Sequence, residues 1–133
     1  MFRIPKSETF STTVEASLAS DRPGKYIEGT FTAVFLRPSK DRYIEIVEGL
    51  QGIVQAGMTT GIDVGKVVDY KTSVLEEVLQ KIEGIGDDAG ELPTDQQRRA
   101  VLDTLPLLNA TFDSFTDAYT GSAAKNSKPS LRR

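Results

Sequence analysis

The spacing of apolar positions changes once along the chain, near Pro38, and this change predicts the architecture. Before Pro38, apolar and polar residues alternate over residues 10–18 and again over residues 27–35. Alternation with a period of two is typical of a strand with one face in water. Residues 21–25 contain a Pro-Gly pair that favours a chain reversal. The sequence therefore predicts an antiparallel β-hairpin over about residues 8–37.

Beyond Pro38 the apolar residues recur at helical spacing, which predicts about four helices between residues 39 and 120. The first carries a stripe from Tyr43 to Val54, with Ser39 or Asp41 as its cap. The second carries a stripe that runs from Val64 to Ile82.

Local end signals place the two remaining helices after a loop predicted for residues 84–93. Thr94 and Gln97 fit a capping box, with Thr94 at the N-cap of a short third helix. Pro106 suits the first turn of the fourth helix, and Gly121 suits its end. The predicted fold class is therefore α+β: an N-terminal hairpin packed on four helices.

Charge divides the 133-residue chain into a body and a tail. The net charge is −3, yet residues 122–133 carry four cations and no acid, so residues 1–121 carry −7. We expect residues 1–121 to form a single domain and residues 122–133 to form a disordered basic tail. An acidic body argues against nucleic-acid binding by the fold itself.

Composition removes several kinds of chemistry. The absence of Cys and His removes thiol nucleophiles, imidazole bases and the common zinc ligands. No apolar run approaches the roughly 20 residues of a membrane span, and residues 1–8 lack the apolar core of a signal peptide. We expect a cytoplasmic protein with no cofactor, no small-molecule substrate and no membrane partner.

Two glycine-containing loops are the only candidates for ligand chemistry. Residues 61–67 resemble a phosphate-binding loop with the first glycine and the magnesium-binding hydroxyl missing. Residues 84–89 match a dinucleotide fingerprint formally, but a helix precedes them, and Asp87 and Asp88 would repel a pyrophosphate. Ala89 and Gly90 break the alternation of oxygen ligands that calcium needs. We therefore predict ordinary loops, no metal site and no enzyme.

Apolar helix residues and tail cations are the candidate contacts for a protein partner. The helices after Val64 carry more Val and Leu than a two-stranded hairpin can cover. Either some of this surface is offered to a partner or to copies of the same chain, or the helices cover one another. The residues predicted to contact a partner are Val67, Val68, Leu75, Val78, Phe112, Phe115, Tyr119, Lys125, Lys128 and Arg132.

Several stretches, taken in order, carry a family resemblance. Residues 29–35 read Gly-Thr-Phe-Thr-Ala-Val-Phe, and residues 78–93 combine a helix end with an acidic, glycine-containing turn and Leu-Pro. Residues 101–119 continue with a short helix and a second one rich in Phe and Ala, and residues 125–126 are Lys-Asn. In this order and spacing the chain resembles the tail assembly chaperone family of tailed bacteriophages and prophages.

The resemblance implies a non-enzymatic function in virion morphogenesis. Such a chaperone binds the tape-measure protein, keeps its long apolar helices soluble and helps recruit the tail-tube protein. The chain would be the short form of the chaperone. It would act in the cytoplasm of the bacterial host and be absent from the mature virion.

Two alternatives stay open at this point. The chain could be a structural tail or virion component, of the tail-tube or tail-completion type, that is retained in the particle. It could also be a small enzyme that binds a phosphate ligand through the loops near Gly61 or Gly84.

Overall fold

A computed structural model describes residues 1–122, so the predicted basic tail, with Lys125, Lys128 and Arg132, lies outside the described residues. The elements in chain order are β1 (Thr9–Ala19), β2 (Tyr26–Leu36), α1 (Lys40–Ala56), α2 (Val64–Val78), β3 (Leu79–Glu83), β4 (Gly86–Asp87), β5 (Gly90–Glu91), α3 (Thr94–Asp103) and α4 (Leu105–Thr120). The predicted α+β class, with an N-terminal antiparallel hairpin and four helices, is confirmed.

The hairpin forms because its two strands present matching apolar faces. β1 and β2 pair without interruption from Thr9 opposite Leu36 to Ala19 opposite Tyr26. The turn between them uses Gly24 at φ 75°, a conformation that glycine adopts without steric cost. One face of the pair is apolar and turns toward the helices.

A third strand corrects the prediction of one helix from Val64 to Ile82. α2 ends at Val78, and β3 pairs antiparallel with β2 in the sheet order β1-β2-β3. The ladder has an irregularity at Val34/Phe35, where Leu79 lies opposite Phe35 and Lys81 opposite Val34. Because of this extra residue, Leu79 and Ile82 both point into the core although they are three positions apart. An i,i+3 spacing therefore suits a bulged strand as well as a helix.

The segment predicted as a loop over residues 84–93 contains a small second hairpin, and the capping box is wrong. β4 and β5 pair with each other, and Pro93, not Thr94, is the N-cap of α3, with no side-chain hydrogen bond. The Gln97 side chain is instead buried beneath the hairpin. It accepts from the Ile85 N–H at 2.8 Å and donates to the Leu92 carbonyl at 2.6 Å.

The other helix ends follow the local signals. Ser39 caps α1 by accepting from the Arg42 N–H at 3.1 Å, which resolves the choice between Ser39 and Asp41. Pro106 lies in the first turn of α4, and Gly121 ends that helix with a left-handed φ of 82°. Each of these ends depends on one or two residues, which is why the sequence alone predicts them.

The core lies between the inner face of the sheet and the helices, chiefly α4. Phe115 contacts Phe35 with ring centroids 5.1 Å apart and Phe10 at 6.0 Å. Tyr43 of α1 stacks on Tyr119 of α4 at 4.4 Å. Aromatic pairs at these separations stabilise a core beyond their area alone. Among residues 1–122, no helix is long and apolar enough to cross a membrane.

Candidate functional site

The predicted partner residues on α2 and α4 divide into buried and accessible ones. Leu75, Val78, Phe112 and Phe115 are each at most 4% exposed, in the core that joins the sheet to the helices. They contact the chain's own residues and are unavailable to a partner in this conformation. The structure therefore corrects the prediction that these four residues contact a partner. Apolar spacing predicts that a face is buried but does not say which surface covers it.

The three remaining described residues of that prediction are half-buried and do not form one surface. Tyr119 donates its hydroxyl to the Pro38 carbonyl at 2.8 Å and stacks on Tyr43. Val68 packs against the core, whereas Val67 has no contact with the core cluster. None of the three lines the groove described below.

The accessible apolar surface lies instead at the distal end of the antiparallel pair α1 and α2. Ile46 is the only buried residue of α1, so most of that helix projects beyond the core. Exposed apolar side chains gather around the loop that joins the two helices, and they are Met58, Ile62 and Val64. A group of this kind on a small domain is typical of a protein-contact site.

A groove of about 700 Å³ runs between the two helices at this end. We call it the α1–α2 groove, and its walls include Gly49, Gly52, Ile53, Ala56, Ile62 and Lys66. The two glycines are one turn apart on α1. A Cβ atom at Gly52 would meet nothing within 4 Å, so this stretch of α1 is open to close approach by another chain.

The loop between α1 and α2 is held by its own carboxylate. The Asp63 side chain accepts from the Lys66 N–H at 3.2 Å and caps α2. A negative carboxylate therefore occupies the helix end at which a phosphate would have to bind. The interpretation of residues 61–67 as a helix linker is right for residues 61–63, whereas residues 64–67 form the first turn of α2.

The polar groups of the acidic turn near Gly84 also form hydrogen bonds within the chain. The Gly84 N–H donates to the Glu91 carboxylate at 3.0 Å, and Gln97 donates to the same carboxylate oxygen at 3.1 Å. These two hydrogen bonds, that from Gln97 first, lower the pKa of Glu91. The Asp87 carboxylate accepts from the Ala89 N–H at 2.8 Å, an ordinary turn contact. Within residues 1–122, no group of three or more acidic side chains is placed to hold a metal ion.

An ion pair fixes the base of the projecting helices. Arg42 at the start of α1 donates to both carboxylate oxygens of Glu77 near the end of α2, at 2.9 and 2.6 Å, and also to Glu45. This two-pronged hydrogen bond is geometrically specific. It lowers the pKa of Glu77 and raises that of Arg42. The two helices are thus joined at one end and open into the groove at the other.

Two sequence features could have pointed to the groove. Glycines at i and i+3 inside a helical stripe are costly there unless something requires close packing. Ile62 and Val64 lie beside the start of α2, where a soluble monomer gains little from apolar residues. Both features were present in the sequence, but only the contacts show that Tyr70 covers Gly49, whereas Gly52, Ile62 and Val64 stay exposed.

Comparison of the chain with protein-family models, with curated proteins and with solved structures finds no match.

Proposed function

We propose that this protein is a non-enzymatic phage tail assembly chaperone that binds helical segments of the tape-measure protein through the α1–α2 groove. In this function it keeps the tape measure soluble and helps recruit tail-tube subunits in the host cytoplasm. The observation that carries the proposal is the projecting helix pair, whose groove combines the apolar side chains of Ile53, Ala56 and Ile62 with polar groups and has no occupant among residues 1–122.

The groove has the properties that a helical ligand requires. An amphipathic helix places apolar anchors at i, i+3, i+4 and i+7 into the apolar part of a groove. Gly52 leaves room for the backbone of such a helix, and Ile53 and Ile62 supply apolar walls. Lys66 and Asp63 supply charges of both signs at the rim, where they contribute more to specificity than to affinity.

The α1–α2 connection also suits a reversible binder. Its loop and the adjoining turns of both helices contribute little to the core, so they can adjust to a ligand at small cost in folding free energy. The net charge of −7 over residues 1–121 would keep a complex with an apolar partner in solution.

Co-expression with the tape-measure gene expected to lie just downstream tests the proposal. The tape measure should become soluble and co-purify with this chain. Gly52→Leu, which fills the groove, should reduce the recovery of tape measure by roughly fivefold to 150-fold, since a misplaced side chain of this size costs on the order of 1–3 kcal/mol.

Gln51→Leu is the matched control, because it adds the same side chain at an exposed neighbouring position outside the groove. It should leave recovery unchanged. If the tape measure is soluble alone and does not co-purify with the wild-type chain, the chaperone proposal is wrong. If Gly52→Leu recovers as much tape measure as Gln51→Leu, binding does not use this groove.

A specific observation favours one alternative, a structural tail component retained in the particle. β1 is an edge strand that pairs only with β2 over its eleven residues, and within Thr9–Ala19 Glu15 is its only charged residue. Long edges with so little charge are suited to joining copies in an assembly. Detection of the chain in purified particles would favour this alternative over the chaperone.

A further inference from the structure

Exposed apolar side chains lie at opposite ends of the sheet, in the amino-terminal segment and at the turn end of the β1–β2 hairpin. At one end, Phe2 is 88% exposed and Ile4 is 84% exposed. At the other end, Ile27 is 60% exposed. We refer to residues 1–6 as the arm. Phe2 and Ile4 are two large exposed side chains of one short segment, and Ile27 offers an exposed apolar surface that could receive them.

The surface around Ile27 is a groove with an open strand edge. β3 pairs with β2 only from Thr32 to Phe35, so residues 26–31 of β2 have no ladder partner on that side. A groove of about 220 Å³ lies beside this edge, and its apolar walls are Leu18, Ile27, Phe31, Ile85 and Leu107. We call it the hairpin groove. It is smaller than the roughly 300–1,000 Å³ of small-molecule sites, which favours a few side chains of a peptide as its occupant.

The arm has the pattern that an added strand needs. Phe2 and Ile4 are two positions apart, so in an extended chain they point to the same side. Arg3 would then point to the opposite side, and Pro5 follows. An added strand gains affinity from main-chain hydrogen bonds and specificity from alternate side chains in pockets.

Charge also matches the arm to the hairpin groove. The arm carries Arg3 and Lys6 and no acid. Glu28 lines the groove, and Glu91 is held beside it through its hydrogen bond with Gly84. Attraction between these groups would speed encounter and set the direction of the arm more than it would add affinity.

The arm cannot reach the hairpin groove of its own copy. Glu8 is anchored at the base of the hairpin, where its carbonyl accepts from the Arg37 N–H at 2.7 Å. From Glu8 to Leu18, which lies opposite Ile27, β1 spans about 34 Å at about 3.4 Å per residue. A fully extended chain from Glu8 back to Phe2 spans at most about 22 Å. An arm that places Phe2 and Ile4 in this groove must therefore come from another molecule.

We infer that the arm of one copy adds as a strand to the open edge of β2 in a second copy, with Phe2 and Ile4 in the hairpin groove. Arm and groove lie at opposite ends of the sheet, so each copy can donate one arm and accept another. Because arm and groove are different surfaces, the contact builds either a two-fold pair that exchanges arms or a head-to-tail series. This contact is separate from the α1–α2 groove and does not depend on the proposed tape-measure partner.

Light scattering after gel filtration of the full chain, over a range of concentrations and with any tag at the C-terminus, tests the inference. The wild-type mass should rise with concentration to at least twice the 14.5 kDa of the monomer. The arm variant Phe2→Ser/Ile4→Ser and the groove variant Ile27→Lys should each raise the midpoint concentration by about a hundredfold or more, since buried apolar contacts are lost. Ile44→Lys, which changes an exposed apolar residue of α1 outside both grooves, is the control and should associate like the wild type.

Mixing the two defective proteins gives the decisive measurement. The arm variant keeps an intact groove and the groove variant keeps an intact arm, so the mixture should form a 1:1 complex that neither protein forms alone. This result would also show that both variants are folded. A wild-type chain that stays monomeric, variants that associate like the wild type, or a mixture without a 1:1 complex would each overturn the inference.

Discussion

The same substitution at two glycines of α1 should change stability in opposite directions. In a helix interior, alanine is more favourable than glycine by about 1 kcal/mol. A Cβ at Gly52 meets no atom within 4 Å, so Gly52→Ala should stabilise the protein by about that amount. One turn earlier, a Cβ at Gly49 would overlap the Tyr70 hydroxyl and lie 2.7 Å from the Tyr70 Cζ atom.

The cost at Gly49 follows from what Tyr70 does. Its hydroxyl donates to the Ile46 carbonyl at 2.9 Å, and its ring packs against the core. A shift of the ring would lose a hydrogen bond of about 1 kcal/mol and strain packing by about 1–3 kcal/mol. After subtraction of the helix-propensity gain, Gly49→Ala should destabilise by about 1–3 kcal/mol.

The two variants should therefore differ by about 2–4 kcal/mol, which corresponds to roughly 10–15 °C in Tm for a domain of this size. Equilibrium urea unfolding followed by circular dichroism measures the difference, and differential scanning calorimetry checks it. Tyr70→Leu removes the ring, so Gly49→Ala introduced into that background should no longer destabilise. If Gly49→Ala stabilises the wild-type chain as much as Gly52→Ala does, Tyr70 of α2 does not pack closely against Gly49 of α1.

Three further predictions concern polar groups. Gln97→Leu should destabilise by about 2–4 kcal/mol in urea unfolding, because the Ile85 N–H and the Leu92 carbonyl lose their partner; a loss below about 1 kcal/mol would contradict this. Thr111 carries a buried hydroxyl without a hydrogen-bond partner within residues 1–122. Thr111→Val should therefore stabilise the protein by about 1 kcal/mol and raise its Tm in a thermal scan. A lower Tm would refute this prediction. Glu77→Gln should cost about 0.5–1 kcal/mol at neutral pH, a modest value because the ion pair with Arg42 is well exposed. The pKa of Glu77 is lowered in the folded state, so this stabilisation is present at pH values above the ordinary pKa of 4.5 and is lost as the pH falls through the folded-state pKa. The free energies of unfolding of wild type and Glu77→Gln should therefore converge at low pH. A difference that stays constant down to low pH would refute this prediction.

Local sequence patterns predict most of the fold. The alternation of residues 10–18 and 27–35 predicts β1 and β2, because two apolar faces with a turn between them have few other ways to leave water. Ser39, Pro106 and Gly121 mark helix ends, since each acts on backbone groups only a few positions away.

Residues whose neighbours are distant in sequence were predicted less well. Leu79 and Ile82 fit a helical stripe, yet the unpaired edge of β2 and a bulge place them in a strand. Gln97 fits a capping box, yet the buried amides and carbonyls of the β4–β5 hairpin use its side chain instead. Both cases depend on groups that only the folded chain brings close.

The sequence by itself determined the class of the domain, the limits of its hairpin and three helix ends, because period and caps act over a few residues. Only the tertiary structure decided which apolar residues the protein covers itself. Phe112 and Phe115 are buried against the sheet, whereas Ile62 and Ile27 stay exposed beside grooves. The physical reason is that a residue becomes buried only when two surfaces pack together. A single stripe of apolar residues does not specify which other surface packs against it.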